Sequence, residues 1–186
     1  MEVIEAIKTR HSIRKYQQTP VDDKTLDLIL EAARWAPSWA NTQCCRLVVV
    51  RDSRIKTALA DAMLMKGPTS ESLITAPVAI VACAEMGKSG FYRNIEGPAT
   101  DKGDSWYMYD VALAMANLTL AANSVGLGTV HLGLFDAKKV AAAVQLPPGY
   151  CVVAMTPLGY PEGEPRITTR KELSEIVSYD KFGGKK

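Results

Sequence analysis

Apolar positions along this chain recur at two spacings, and the changes between them mark its elements. Val3, Ile4 and Ile7 share one helical face and lead into a polar, basic stretch from Lys8 to Lys15. Beyond Pro20, Leu26, Ile29, Leu30 and Ala33 follow an i, i+3, i+4, i+7 pattern; Asp22 and Asp23 suit its N-terminus, and Pro37 should end it. Cys45 to Val50 and Pro77 to Ala84 are β-branched runs without alternation, which predicts interior strands covered on both faces. Ser53 to Met65 reads as an amphipathic helix. Lys66 to Ser72 and Gly87 to Gly103 read as loops rich in glycine, proline and charge, the second being either an active-site cover or a plain surface loop. Trp106 to Val125 is apolar on nearly every face and is followed by Gly126, suited to a left-handed cap. Thr129 to Leu132 and Tyr150 to Thr156 predict further strands with a helix over Asp136 to Val144 between them, and Glu172 to Val177 predicts a last turn. No repeat or linker interrupts this order, which predicts a single domain over residues 1–186.

Composition narrows the function classes. With 47% hydrophobic and 23% charged residues the 186-residue chain has the balance of a soluble globular protein, and its net charge of +2 favours no nucleic-acid partner. Met1 to Arg10 lacks the continuous apolar core of a secretory signal. Val111 to Val125 is broken by Asn117, Thr119, Asn123 and Ser124, unlike a lipid-facing helix. The expectation is a cytoplasmic protein with no membrane partner. Cys44 and Cys45 are adjacent while Cys83 and Cys151 stand apart, so no ligand spacing predicts a metal site. An almost wholly apolar helix in so short a chain is most easily enclosed with help from a second subunit, and Met115 is a candidate for that contact.

Three clusters carry candidate chemistry. Arg10, Ser12 and Arg14 alternate, so an extended segment would turn all three to one side, where two permanent cations flanking a hydroxyl suit a phosphate; a solvated basic loop has the same spacing. Pro37, Ser38, Trp39, Asn41 and Gln43 form a run of turn formers and amides ahead of a strand, as a ligand loop or a structural turn would. Gly126 and Gly128, followed by Leu132, Gly133 and Leu134, allow close backbone approach. The rings of His11 and His131 are read as noncatalytic, and Trp39, Trp106 and Tyr107 as packing residues.

Taken in order, these segments resemble the nitroreductase family. The resemblance rests on Arg10-His11-Ser12-Ile13-Arg14-Lys15-Tyr16, on Pro37-Ser38-Trp39-Ala40-Asn41-Thr42-Gln43, on Asp110 through Gly128, and on Leu158-Gly159-Tyr160-Pro161 followed by Arg170-Lys171. It implies an α+β fold, a central mixed β-sheet flanked by helices, in an intertwined homodimer with FMN sites shared between subunits. Arg10, His11 and Ser12 would hold the ribityl phosphate with Arg170 or Lys171, and Arg14 would face the pyrimidine edge of the flavin. Pro37, Ser38, Trp39, Asn41 and Gln43 would reach the flavin of the neighbouring subunit. Backbone groups of Leu132, Gly133 and Leu134 would lie near the atom that accepts hydride.

The implied activity is transfer of electrons from NADH or NADPH through bound FMN to nitroaromatics, quinones or similar small acceptors in two alternating half-reactions. The chain departs from the family at Cys44-Cys45, where proline and an aromatic residue are common. It also departs at Thr69 and Ser72, which replace a polar pair that reaches the flavin, and at Leu134, where glycine is frequent. The Cys44-Cys45 departure motivates an alternative, a flavin-binding redox sensor with little turnover.

Overall fold

A computed structural model describes residues 1–92 and 94–186; position 93, within the expected 87–103 loop, lies outside the described residues. The backbone runs α1 (Val3–Thr9), α2 (Asp23–Arg34), a short 3-10 turn (Trp39–Asn41), β1 (Cys45–Val50), α3 (Ser53–Ala62), α4 (Pro68–Thr75) and β2 (Val78–Glu85). It continues with α5 (Trp106–Ser124), β3 (Gly128–Thr129), α6 (Ala137–Ala143), β4 (Tyr150–Gly159) and α7 (Leu173–Ile176). The four strands lie in the order β1-β2-β4-β3 with every neighbouring pair antiparallel, which corrects the expected mixed sheet; an isolated parallel bridge joins Ser12 to Thr129 beside it.

Strand β2 explains the layering. Val78, Ile80, Ala82 and Ala84 turn toward a core shared with α2 and α5, while Ala79, Val81 and Cys83 turn toward a second core shared with α3, α4 and α6. Both faces are covered, as a run without alternation requires. Strand β1 has the same composition yet forms a sheet edge, and most of its residues are only partly buried. Its apolar side chains are not fully enclosed within one subunit, which corrects the expectation of an interior strand.

The ends of the helices have local causes. Asp22 accepts the Thr25 amide at 2.9 Å, and Asp52 and Asp136 cap α3 and α6 in the same way. Gly126, at φ 81°, closes α5, placing the Leu127 amide 2.9 Å from the Ala122 carbonyl. Helix α3 stops three residues before Met65 because the chain there pairs with the 134–136 segment: Leu64 donates to the Leu134 carbonyl at 3.1 Å and Asp136 to that of Ala62 at 2.9 Å. The expected loop over 66–72 is corrected to helix α4. Pro68 stands at its first turn, where a missing N–H costs nothing. At its other end the buried Lys56 ammonium lies 3.2 and 2.6 Å from the Ile74 and Ala76 carbonyls, and desolvation lowers that amine's pKa.

The expected strand over 129–132 is interrupted. Thr129 pairs with Leu158, the chain leaves the sheet, and Leu132 returns to pair with Met155. This gap also explains how β4 continues through Pro157. Two residues beyond Met155, Pro157 faces the same side, where no strand asks for its missing donor, and Tyr16 Oη donates to its carbonyl at 3.4 Å.

The extended segment 10–16 docks beside β3: the Ile13 amide donates to the Thr129 carbonyl at 2.9 Å, and Ile13 and Tyr16 point inward. A Cβ at Gly128 would fall inside van der Waals contact with the Ile13 side chain. Gly128→Ala should therefore destabilise the protein by about 1 to 3 kcal/mol through overpacking, read from the denaturant midpoint. A midpoint equal to the parent's would show that the segment is not pinned there.

Candidate functional site

The inward turn of Ile13 leaves Arg10, Ser12 and Arg14 on the opposite side, as their alternation requires. All three line one cavity of about 480 Å³, closed by Ile7, by Ala116, Thr119 and Leu120 of α5, and by Thr129, Val130 and His131. Its charged lining residues are both arginines, so it favours an anion, and a guanidinium offers paired donors in the geometry of a phosphate. His131 was missed as a lining residue because an apolar run concealed it. Its Nε2 lies 2.7 Å from Thr119 Oγ1.

The second cluster forms a separate cleft. Pro37, Ser38, Thr42 and Gln43 line a cavity of about 560 Å³ with Arg34 and Ala33 of α2, Cys45 to Leu47 of β1, and Asp110 and Ala114 of α5. Ala40, Asn41 and Gln43 hold left-handed backbone angles of φ 43°, 55° and 49°, conformations that cost energy in residues with a side chain and persist only where surroundings enforce them. Asp110 supplies much of that enforcement. Its buried carboxylate accepts the Trp39 amide at 2.9 Å and the Thr42 hydroxyl and Cys44 thiol at 3.5 Å each. Ser38 Oγ accepts the Gln43 amide at 2.9 Å, and the Arg46 guanidinium donates to the Gln43 carbonyl at 2.7 Å. A lone acid inside an apolar helix was the available signal for this role, because burying a charge is tolerable only with partners.

Other expected site residues are distributed differently. Asn41 lines a third hollow with Lys88, Phe91 and Tyr92, and the Trp39 ring lies 4.7 Å from that of Tyr92. His11 is partly buried within the docked segment. Gly133 and Leu134 are exposed. Leu132 is buried and both its backbone groups are paired with Met155 at 2.8 and 3.0 Å, so its main chain is not free for a ligand. Arg170 and Lys171 are exposed, and Arg170 donates to Thr168 and Thr169 rather than into either cavity. Ser72 is fully buried with its hydroxyl donating to the Thr69 carbonyl at 2.6 Å, which removes it from any ligand.

The cysteines are poor nucleophiles. Burial, reinforced by the Asp110 carboxylate, pushes the Cys44 thiol up to about 12; burial pushes Cys45 up to about 11 and Cys83 up to about 12. Among the described residues no group of three or more potential ligands could hold a metal ion, and no helix is long and apolar enough to cross a membrane.

Two separate cavities, one cationic and one built on a strained amide-rich loop, thus flank a single long helix of an α+β sheet protein. The family model for the nitroreductase family matches residues 7–160, and the chain belongs to that family. A Thermus thermophilus NADH dehydrogenase is 32% identical over 190 residues, covering 90% of this chain and 91% of its own length. A nitroreductase family protein from Clostridium novyi superposes with a TM-score of 0.76 at 34% identity, over 99% of this chain and 96% of its own. A Desulfovibrio desulfuricans chain solved in complex with FMN gives 0.81 at 28% identity, over 98% of both chains.

Asp110→Ala should cost about 1 to 3 kcal/mol, since it strands a partly buried amide and hydroxyl and a buried thiol. Asp110→Asn, which keeps one acceptor for Trp39, should cost less. Urea unfolding of both variants checks the order; equal losses would show that the carboxylate serves only as filler. Thiol labelling of the folded protein at pH 8 should leave Cys44 and Cys45 unmodified, and rapid labelling of either would contradict their inertness.

Proposed function

We propose that the protein is an FMN-dependent oxidoreductase that accepts electrons from NADH or NADPH and delivers them to nitroaromatic, quinone or similar acceptors by two alternating half-reactions. The observation that carries this reading is the convergence of Arg10, Ser12 and Arg14 on one cavity whose size lies in the range of cofactor sites. FMN fits the residues present: Arg10 and Ser12 would hold its phosphate monoester, and Arg14 would face the electron-poor end of the ring. Arg170 or Lys171 would complete the phosphate contacts.

Bound flavin supplies hydride acceptance and donation; the protein supplies position and charge. Arg14 holds a permanent positive charge where negative charge develops on reduction, so it stabilises the reduced state without moving a proton. Pro37, Ser38, Trp39, Asn41 and Gln43 would orient the ring of the neighbouring subunit's cofactor. Asp110 keeps their loop in register. The alternative of a redox sensor drew its motive from Cys44 and Cys45, whose raised thiols weigh against it.

The shared site implies a homodimer. Helix α5 leaves Tyr109, Ala112 and Ala116 exposed on successive turns, and the tail exposes Leu173, Ile176 and Phe182. A twofold contact along α5 would bring each cationic cavity to a partner loop. Met115 does not belong to that contact, because only 1% of it is exposed and it packs in the core between α5 and the sheet. A cytoplasmic location suits a reductase fed by nicotinamide cofactors and keeps its four free cysteines reduced.

Purified protein should be yellow with flavin absorption bands; a colourless preparation that cannot be reconstituted with FMN would reject the reading. At full FMN occupancy Arg14→Ala should slow NAD(P)H-dependent flavin reduction in stopped flow, while Arg10→Ala should weaken FMN retention by about 1.5 to 3 kcal/mol, the worth of a charge-assisted contact. Unchanged reduction by the first variant, or unchanged affinity in the second, would remove the corresponding role. Ala112→Asp should shift the protein toward monomer in light scattering and release FMN together. A monomer retaining stoichiometric FMN would overturn the shared site.

A further inference from the structure

His131 has no part in the roles assigned so far, yet it faces the cavity of Arg10, Ser12 and Arg14. One ring nitrogen is occupied: Nε2 lies 2.7 Å from the buried Thr119 hydroxyl. Nδ1 has no hydrogen-bond partner among the described residues, so the tether fixes the ring and leaves a second nitrogen available. We propose that His131 is a further binding residue for the phosphate monoester of the cofactor, offering its free ring nitrogen to the anion beside Arg10 and Ser12; this rests on the flavin reading above.

The electrostatics support a change of charge on binding. Desolvation first, and the Arg10 guanidinium second, lower the imidazole's pKa from its ordinary value near 6.5, which favours the uncharged ring while the cavity holds no anion, although the residue as a whole is exposed. The charged groups lining the cavity are Arg10 and Arg14, both permanently positive, while the facing elements contribute Ile7 from α1, Ala116, Thr119 and Leu120 from α5, and Thr129 and Val130 beside β3. An entering phosphate cancels the field of Arg10 and offers an acceptor to the free nitrogen. Both effects favour His⁺. A proton is taken from solvent onto the ring as the anion binds, so this contribution grows as pH falls and disappears above the raised pKa of the complex. The phosphate's own protonation near pH 6 acts in the opposite sense, but it is common to parent and variant and cancels in their ratio.

The test uses the full chain stripped of flavin and titrated with FMN by fluorescence quenching at pH 6 and pH 8.5, for the parent and for His131→Gln. The expected result is a several-fold loss in FMN affinity at pH 6, short of the roughly tenfold limit that a rise of about one pH unit in the ring's titration midpoint would give well below both midpoints, and little loss at pH 8.5. Riboflavin, which lacks the phosphate, should bind both proteins alike. In the unaltered protein the His131 C2–H resonance should titrate at higher pH with FMN or inorganic phosphate present, a readout that survives even if the variant folds poorly. Equal losses at both pH values, the same loss for riboflavin, or an unmoved His131 titration would overturn the proposal while leaving the flavin reading standing. Failure of the parent to bind FMN at any pH would overturn both.

Discussion

Helix α5 is buried along one face and left exposed along another within this chain, and most of the architecture is arranged around it. Val111, Ala114, Met115, Leu118 and Ala122 are buried between α2 and the sheet. Asp110 and Thr119 are buried too, and each is hydrogen-bonded at the edge of a different cavity. A single helix thus sets the loop of residues 37–43 at one position along its length and the cationic cavity at another. The stripe of Tyr109, Ala112 and Ala116 that remains exposed is the surface through which the proposed assembly would bring those two positions together. Burial of apolar area is the force that would hold such a contact, so cofactor retention and subunit association would share one source of stability.

The main fold was legible wherever one local rule acted alone. Asp22 before a regular apolar stripe marked α2, and Gly126 after α5 marked a left-handed cap that closes as expected. Legibility failed where partners distant in sequence decided the outcome. The β-branched run of β1 looks like that of β2, but strand order places one at an edge and the other between neighbours, and strand order is not a local property. Lys66 to Ser72 looked like a loop because Gly67 and Pro68 are common breakers; at an N-terminus the same pair starts a helix. The early end of α3 comes from pairing with residues some seventy positions further on.

The candidate site shows the same division. Alternation within 10–14 correctly turned Arg10, Ser12 and Arg14 to one side, because the extended backbone alone dictates it. Nothing in that spacing could reveal Thr119 or His131, which arrive from a helix and from the break after β3. Asp110 was visible as an unusual residue but not as the anchor of a loop 71 positions away from it. At Leu132 the spacing likewise could not reveal that the backbone is already committed to Met155.

The two candidate sites use charge in contrasting ways. Around the cationic cavity, permanent guanidinium charges wait in fixed positions, so an incoming anion or developing negative charge is stabilised without reorganisation. Around the loop, a buried carboxylate is committed wholly to backbone and side-chain donors, and what it secures is a conformation rather than a reaction. Left-handed angles at Ala40, Asn41 and Gln43 would relax if those donors were freed. The loop can therefore present Pro37, Ser38 and Gln43 as a preformed surface, and the entropy of ordering them is met during folding.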